Sequence, residues 1–219
     1  MSTVLERRLR IGLWAAIALV VVAAVIAVLV VRSSSTEELP DDVGQVTRSN
    51  SHVLSQAPNE QAVLVEFVDF ECEGCRAAFP VVEDLRSQHA DTLTVIQRYF
   101  PLPGHQNGMN AALAVEAAAQ QGEYDQMQQT MFTTQAEWGE STEDKSDVFR
   151  GFAQDLGLDM TAYDAAVADP ATQQRVELDI ADGFTLGVSG TPTFFLNGQP
   201  LPLESLEEFE STVATAAEG

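Results

Sequence analysis

Two cysteines, three positions apart, are the residues of this sequence best suited to covalent chemistry. They are Cys72 and Cys75, the only cysteines among 219 residues, and they directly follow the apolar run Val63–Phe70 (VLVEFVDF). That run is β-branched and aromatic, which predicts a strand, and the residues from Cys72 to His89 predict a helix. The first thiol would therefore lie at a helix N-terminus, where unpaired backbone N–H groups and the helix dipole stabilise a thiolate.

Four interpretations of the cysteine pair compete. A disulfide acting only as a structural link would close a four-residue ring and remove about 2 kcal/mol of unfolded-chain entropy, less than a longer loop would. A closed zinc site needs four ligands, and the three histidines, His52, His89 and His105, show no metal-ligand spacing. Inert core cysteines are not expected at a strand–helix junction. A redox dithiol is favoured, with Cys72 as the nucleophile and Cys75, one helical turn later, as the resolving thiol.

Carboxylates near the dithiol give three further expectations. Glu71 and Glu73 flank the first cysteine and oppose its ionisation, so its pKa should be lowered less than a histidine between the cysteines would lower it. Glu66 interrupts the apolar run. If it is buried, its pKa is raised and it could move the proton of the second cysteine; at a partly wet strand position it would be an ordinary glutamate. Asp69, nearer the strand end, is expected to be exposed.

The segment Gly190–Thr193 (GTPT) lies about 120 residues after the dithiol and precedes another predicted strand. A proline that opens a strand after a β-branched residue is typical of a cis peptide bond in a tight loop. Beside a dithiol, such a loop would offer free backbone groups to an extended peptide. Thr191 and Pro192 are therefore candidate substrate-binding residues.

Two other residues invite a weaker functional interpretation. His105 closes the segment FPLPGH and could lie near the rim of the dithiol, although an ordinary loop histidine is the simpler interpretation. Trp138 is expected to be a packed aromatic residue rather than a platform for substrate.

The elements that would hold these residues follow the order strand, helix, strand, helical block, hairpin and helix. A possible edge strand near 52–54 comes first, and LTVIQRYF (93–100) follows the first helix. Asn197–Gly198 is a strong hairpin signal. Helices are predicted over 110–121, 124–132, 147–156, 160–168 and 172–184, with a last one from 203 to about 216. The predicted fold class is α/β: a mixed sheet covered by helices, with an all-helical insertion over about 105–186.

The N-terminal residues predict a membrane anchor. Residues 11–31 contain no charge and no proline, and as a helix they would span about 31 Å, the thickness of a bilayer core. The run ends in LVVR without a small-x-small cleavage site, which favours an uncleaved anchor over a cleaved signal peptide.

Positive charges predict the orientation of this anchor. Arg7, Arg8 and Arg10 precede the apolar run and Arg32 alone follows it, so residues 1–10 are expected in the cytoplasm. A polar tether over 32–50 and a redox domain over 51–219 would then lie outside the cell membrane, where disulfides persist.

The chain is strongly acidic, with 33 Asp and Glu against 11 Lys and Arg and a formal net charge of −22. Nothing here could neutralise phosphates along a strand, so the composition excludes nucleic acid as a partner. A solvated, self-repelling surface that keeps the domain soluble is favoured over a specific cationic partner.

Taken together, these motifs resemble the DsbA-like thiol–disulfide oxidoreductases of the thioredoxin superfamily. The resemblance covers residues 52 to 216 and is carried by EFVDFECEGC, RYFPLPGH, NAALAVEAAAQQGEYDQM and GVSGTPTFFLNG. It implies that Cys72 and Cys75 form the active dithiol, that Thr191–Pro192 is the cis-proline loop, and that Glu66 is the buried acid.

The resemblance also implies an activity and partners. DsbA-like proteins oxidise newly secreted polypeptides, and a quinone-linked membrane partner re-oxidises their dithiol. No organic or metal cofactor is expected. Glu73–Gly74 stands where well-known oxidases carry Pro-His, which leaves the strongly oxidising potential open. A reductase or isomerase of the same fold, for example in haem-protein assembly, and a non-catalytic anchored binding module remain alternatives.

Overall fold

The computed structural model describes residues 44–219. The predicted cytoplasmic N-terminus (1–10), the anchor (11–31) and the tether up to residue 43 lie outside the described residues. None of the helices between residues 44 and 219 has the length and apolar character needed to cross a bilayer.

Within residues 44–219, five strands form one mixed sheet in the order β1-β3-β2-β4-β5. They are β1 (His52–Ser55), β2 (Ala62–Val68), β3 (Leu93–Tyr99), β4 (Thr193–Leu196) and β5 (Gln199–Leu201). β2 and β3 are parallel, and the other neighbours are antiparallel. Asn197 and Gly198 have φ of 51° and 77°, the left-handed conformation that the predicted two-residue hairpin requires.

The described helices follow the predicted order closely. They are α1 (Glu73–Gln88), α2 (Gly108–Ala119), α3 (Tyr124–Trp138), α4 (Ser146–Asp155), α5 (Met160–Val167), α6 (Pro170–Thr185) and α7 (Leu206–Glu218). α1 is the crossover between the parallel strands β2 and β3. α2 to α6 occupy the predicted insertion between β3 and β4. The α/β prediction, with a mixed sheet and helices, is confirmed.

Alternation along β2 divides its side chains between two hydrophobic cores. Leu64 and Val68 belong to the larger core, together with Cys75 of α1. Phe67 belongs to a smaller core on the other face of the sheet. Glu66 has the same parity as Leu64 and Val68. Its carboxyl group therefore faces the larger core, on the side of the sheet where the dithiol helix packs.

The end of the predicted tether is attached to the domain by a buried ion-pair cluster. Asp182 of α6 accepts hydrogen bonds from the backbone N–H groups of residues 44 and 45 and pairs with Arg48. Arg98 of β3, whose side chain is fully buried, pairs with Asp182 and Asp179. It also donates to the carbonyl oxygens of residues 45 and 46. Residues 44–50, the docked segment, thus contact the domain instead of continuing as a free tether.

Candidate active site

The two cysteines lie at the start of α1, as their spacing predicted. Cys72 is the N-cap residue, with extended backbone angles (φ −73°, ψ 123°), and its carbonyl oxygen accepts the first helical hydrogen bond, from the Arg76 N–H. Both thiols are free in this structure; Cys72 is partly exposed, whereas Cys75 is fully buried. One sulfur is therefore open to a substrate and the other is reached only through the first.

Several donors converge on the Cys72 sulfur. The Cys75 thiol makes the largest contribution, and it lowers the pKa of Cys72 while burial opposes it. Thr191 and the backbone N–H groups of Cys75 and Gly74 lower this pKa further, to about 5. The expected lowering is confirmed. Cys72 is accordingly a thiolate at neutral pH, the form that attacks disulfides and leaves readily from them.

Cys75 has the opposite electrostatic environment. Burial raises its pKa well above the ordinary value, and the hydrogen bond to Cys72 and the charge of Glu66 raise it further. The two sulfurs are thus separated into a stable thiolate and a stable thiol. Any reaction that releases or consumes Cys75 must also move a proton at that sulfur.

The loop before β4 closes over the dithiol. The Thr191–Pro192 peptide bond is cis, as the sequence suggested. The Cys72 sulfur lies 3.2 Å from the carbonyl oxygen of Thr191, to which it donates when it is protonated. A methyl group added at Gly74 would lie 3.1 Å from Cδ of Pro192, so the proline ring packs directly against the turn between the cysteines. The loop predicted to bind substrate therefore lies beside the thiol predicted to react with it.

Glu66 is buried in the larger core, with 2% of its surface exposed. Its carboxylate accepts a 2.6 Å hydrogen bond from Nε2 of Gln97, its neighbour on β3. Burial raises the pKa of Glu66 to about 7; the Gln97 hydrogen bond opposes this, and the charges of Glu83 and Cys72 add to it. The buried alternative is confirmed, and the group titrates in the range where it can exchange protons at neutral pH.

The prediction that Asp69 is exposed is wrong. Only 1% of its surface is accessible, because the segment after β3 folds over the end of β2. Its carboxylate accepts from the backbone N–H groups of Glu71 and Leu102 and pairs with Nδ1 of His105 at 2.6 Å. Burial alone would lower the pKa of His105, but Asp69 raises it. Hydrogen bonds to the Asp69 carboxylate therefore hold Leu102 and His105, which follow β3, against the end of β2.

The flanking glutamates have different environments. Glu71 is buried and accepts a 2.7 Å hydrogen bond from the Asn107 backbone N–H, whereas the side chain of Glu73 is 67% exposed. They line a cavity of about 190 Å³ at the N-terminal end of α1, together with Arg76 and Glu140. This open space lies at the first turn of α1, and neither cysteine lines it.

Sequence reasoning missed three residues that support the site. Gln135 of α3 donates to the carbonyl oxygens of Phe70 and Cys72 and so holds the chain that enters α1. Gln97 and Tyr124 lie behind Glu66, and the Tyr124 hydroxyl donates to Oε1 of Gln97 at 3.0 Å. The only one of them that the sequence marked was Gln97, a polar residue inside the predicted strand LTVIQRYF.

Two remaining expectations concern Trp138 and metals. Trp138 is 1% exposed and packs edge-to-face on Phe149, which confirms a packed aromatic residue. Across residues 44–219, no group of three or more His, Cys, Asp or Glu side chains is arranged to hold a metal ion.

The curated relatives match this chain over only part of their own length. The Na(+)/H(+) antiporter NhaA of Herminiimonas arsenicoxydans is 40% identical over 141 residues, which cover 64% of this chain and 21% of the antiporter. A second antiporter, from Salinispora tropica, is 33% identical over 178 residues, covering 78% of this chain and 26% of that protein. This chain thus spans about a fifth to a quarter of the length of these relatives, and the likeness concerns one portion of them.

Solved structures match nearly their whole length. A thioredoxin-like oxidoreductase from Silicibacter pomeroyi superposes with a TM-score of 0.66 at 24% identity, covering 82% of this chain and 99% of that one. The α-DsbA1 protein of Wolbachia pipientis gives a TM-score of 0.67 at 19% identity, covering 78% and 93%. At these identities the likeness establishes the fold, which is the thioredoxin-like fold that the resemblance implied. The sequence pattern described as Thioredoxin matches residues 55–215, most of the chain and all of the sheet except the start of β1, and the chain therefore belongs to the thioredoxin family.

Proposed function

We propose that this protein is a thiol–disulfide oxidoreductase that introduces disulfides into secreted polypeptides. One observation carries the proposal: a thiol with a pKa of about 5 begins α1, one turn before a fully buried thiol whose pKa is raised. Stabilising the thiolate stabilises the reduced form of the pair. The disulfide form is correspondingly a stronger oxidant.

The transfer proceeds through a mixed disulfide on Cys72. A substrate thiolate bonds to the Cys72 sulfur while the Cys72–Cys75 bond breaks, and Cys75 leaves with the electron pair and takes up a proton. A second substrate thiolate then bonds to the first substrate sulfur, and Cys72 leaves as a thiolate. The substrate is oxidised by two electrons and the protein is reduced by two.

Glu66, Thr191 and Pro192 have supporting roles in this proposal. Glu66, with a pKa raised to about 7 by burial, gives the proton that Cys75 needs on leaving and accepts it in the reverse direction. The backbone of Thr191 and Pro192, next to Cys72, pairs with the extended substrate segment around the reacting cysteine.

We place this activity outside the cell membrane, anchored by residues 11–31. The support is the uncharged 21-residue run and the arginines that precede it. The partners would be reduced secreted polypeptides and a quinone-linked membrane protein that re-oxidises the dithiol. Protease treatment of intact spheroplasts should remove the domain while the membrane fraction keeps the N-terminal fragment. Protection of the domain from protease would contradict the assigned orientation.

The reduction potential is the measurement that tests the direction of electron flow. The full chain in detergent would be equilibrated with glutathione buffers, and the free thiols trapped and counted. We expect a value nearer the about −120 mV of strong oxidases than the about −270 mV of thioredoxin. A value near the lower figure would contradict an oxidase and identify a reductase.

Replacing the nucleophile distinguishes an enzyme from a binding module. Cys72→Ser should abolish disulfide transfer to a reduced model protein such as ribonuclease, because no sulfur remains to form the mixed disulfide. His89→Ser, a change at the end of α1, serves as the control and should retain activity. Full function of Cys72→Ser in cells would favour a non-catalytic module.

A further inference from the structure

The buried carboxylate of Glu66 belongs to a short line of hydrogen bonds that ends away from the dithiol. Gln97 donates from Nε2 to Oε2 of Glu66 at 2.6 Å, and its Oε1 accepts from the Tyr124 hydroxyl at 3.0 Å. Gln97 is 1% exposed and Tyr124 is 9% exposed. Among the described residues, this is the hydrogen bond that the structure gives to the Glu66 side chain.

Strand register explains why the amide meets the acid. β2 and β3 are parallel and Glu66 is paired with Gln97, so both side chains project from the same face of the sheet. On its other side Glu66 is paired with Phe194 of β4, which offers no polar group. The amide is therefore held beside the carboxylate by backbone geometry rather than by a flexible side chain.

The amide has two possible orientations, and only one suits an ionised Glu66. A carboxylate can only accept, so it requires the NH₂ end of Gln97. Tyr124 supports that orientation, because its hydroxyl donates to Oε1 of Gln97 and leaves the NH₂ end of the amide for Glu66. Burial raises the pKa of Tyr124 well above the ordinary value and keeps this hydroxyl protonated and able to donate. His52 stacks on the Tyr124 ring at 4.2 Å and restricts its position.

We propose that Gln97 and Tyr124 form a positioning relay that keeps Glu66 ready to exchange a proton with Cys75. The relay rests on the proposed dithiol function and adds two residues to it. Neither touches the reacting sulfurs; both act through the carboxyl group. Without Tyr124 the amide can turn its oxygen toward Glu66, and a carbonyl oxygen stabilises only the protonated acid.

Other charged and titratable groups act on Glu66 and must be held constant in a test. Cys75 and Glu83 belong to α1, Cys72 is its N-cap residue, and Tyr124 belongs to α3. Behind Tyr124, His52 pairs with Glu116, which also accepts from the Tyr99 hydroxyl. Tyr99 is thus a second buried tyrosine, adjacent to the relay and outside it, and Tyr99→Phe provides a matched control.

The reaction of the full chain with the aromatic disulfide of 5-thio-2-nitrobenzoate separates the two sulfurs. In the first phase Cys72 attacks the reagent and releases one coloured thiolate. In the second phase Cys75 gives up its proton, bonds to the Cys72 sulfur and expels the second coloured thiolate with its electron pair. Only the second phase depends on proton removal at Cys75, and it should follow the ionisation of Glu66.

We expect Tyr124→Phe and Gln97→Leu to move the inflection of the second-phase rate upward by about one pH unit. The rate below the inflection should fall about tenfold, since one unit of pKa is a factor of ten in ionised fraction. The first phase should not change, and Tyr99→Phe should leave both phases as in the wild type. In a Glu66→Gln background, adding Tyr124→Phe should have no further effect on the profile.

An unchanged second-phase profile in Tyr124→Phe would overturn the relay. So would an equal change in Tyr99→Phe, which would indicate general loss of packing. These outcomes are independent of the reduction potential. A reducing potential would contradict the oxidase proposal without affecting the relay. A second-phase profile of Tyr124→Phe equal to that of the wild type would contradict the relay without affecting the oxidase proposal.

Discussion

The hydroxyl group of Thr191 has no hydrogen-bond partner among the described residues, although the backbone oxygen of the same residue accepts from Cys72 when that thiol is protonated. An unsatisfied buried hydroxyl costs about 1–3 kcal/mol. A thiolate at Cys72 would give this hydroxyl an acceptor. After the Cys75 thiol, which has the largest effect, Thr191 is one of the groups that lower the pKa of Cys72.

We expect Thr191→Val to raise the pKa of Cys72 by about one unit, because a hydrogen bond to a charged group contributes about 1.5–3 kcal/mol. The pH dependence of alkylation by iodoacetamide measures this pKa. Thr191→Ser, which keeps the hydroxyl, should titrate like the wild type. Identical titrations for the valine and serine variants would show that the hydroxyl has no part in stabilising the thiolate.

At the residue scale, local patterns pointed to the candidate reacting groups but not to the residues that support them. The cysteine spacing, the acid in an apolar strand and the proline before a strand each mark chemistry within a few residues. Asp69 was placed wrongly because its burial depends on a loop more than thirty residues later in the chain. Gln97 and Tyr124 were missed for the same reason, since strand register and helix docking bring them to Glu66.

For whole elements too, local sequence patterns had predictive value, whereas contacts between distant parts of the chain could not be predicted. Alternating and helical periodicity predicted each strand and helix near its observed place, because burial of one face sets those patterns. α3 extends to Trp138, beyond the predicted end at 132, because Gln135 and Trp138 are buried against neighbouring elements. The sequence placed the docked segment within the polar tether, and its contacts were not predicted because ion pairs and backbone hydrogen bonds leave no periodic pattern.

The cluster that holds the docked segment should contribute strongly to stability. Asp182→Asn removes a buried charge that faces Arg48 and Arg98, and breaking such a pair costs about 3–5 kcal/mol. Asp164→Asn removes the partner of Arg150 from a pair whose side chains are 44% and 50% exposed. That control should cost at most about 1 kcal/mol. Urea unfolding of both variants measures the difference, and equal losses would contradict the argument.

The effect of Asp182 on stability should depend on pH. Burial alone would raise its pKa, but the hydrogen bonds from Arg48 and Arg98 lower the pKa well below the ordinary value. A carboxylate whose pKa is lowered on folding stabilises the protein above its unfolded pKa, and this contribution is lost as the pH falls. The difference between wild type and Asp182→Asn should therefore narrow below about pH 4. A gap that stays constant down to pH 2 would exclude this ionisation as the cause.

For the whole molecule, charge should select among small thiol reagents. The chain carries a formal net charge of −22, and the charged residues that line the cavity at the N-terminal end of α1 are three glutamates and one arginine. We expect a cationic disulfide, cystamine, to oxidise the dithiol faster at low than at high ionic strength, by about tenfold. Dithiodiglycolate, an anionic disulfide, should react more slowly at low than at high ionic strength. The rate with bis(2-hydroxyethyl) disulfide, which is neutral, should not depend on ionic strength. A cationic rate that is independent of salt would contradict this steering.

The complete burial of Cys75 has a practical consequence. Because Cys72 is partly exposed and Cys75 is fully buried, the mixed disulfide of the proposed reaction must form on Cys72. A Cys75→Ala chain would have no internal thiol to displace its client, so the client would stay attached until a thiol from elsewhere released it. Such a chain would trap its substrates as mixed disulfides. Acid quenching, purification and mass spectrometry of the attached peptides would identify the substrates of the proposed reaction and the cysteine of each that reacts first.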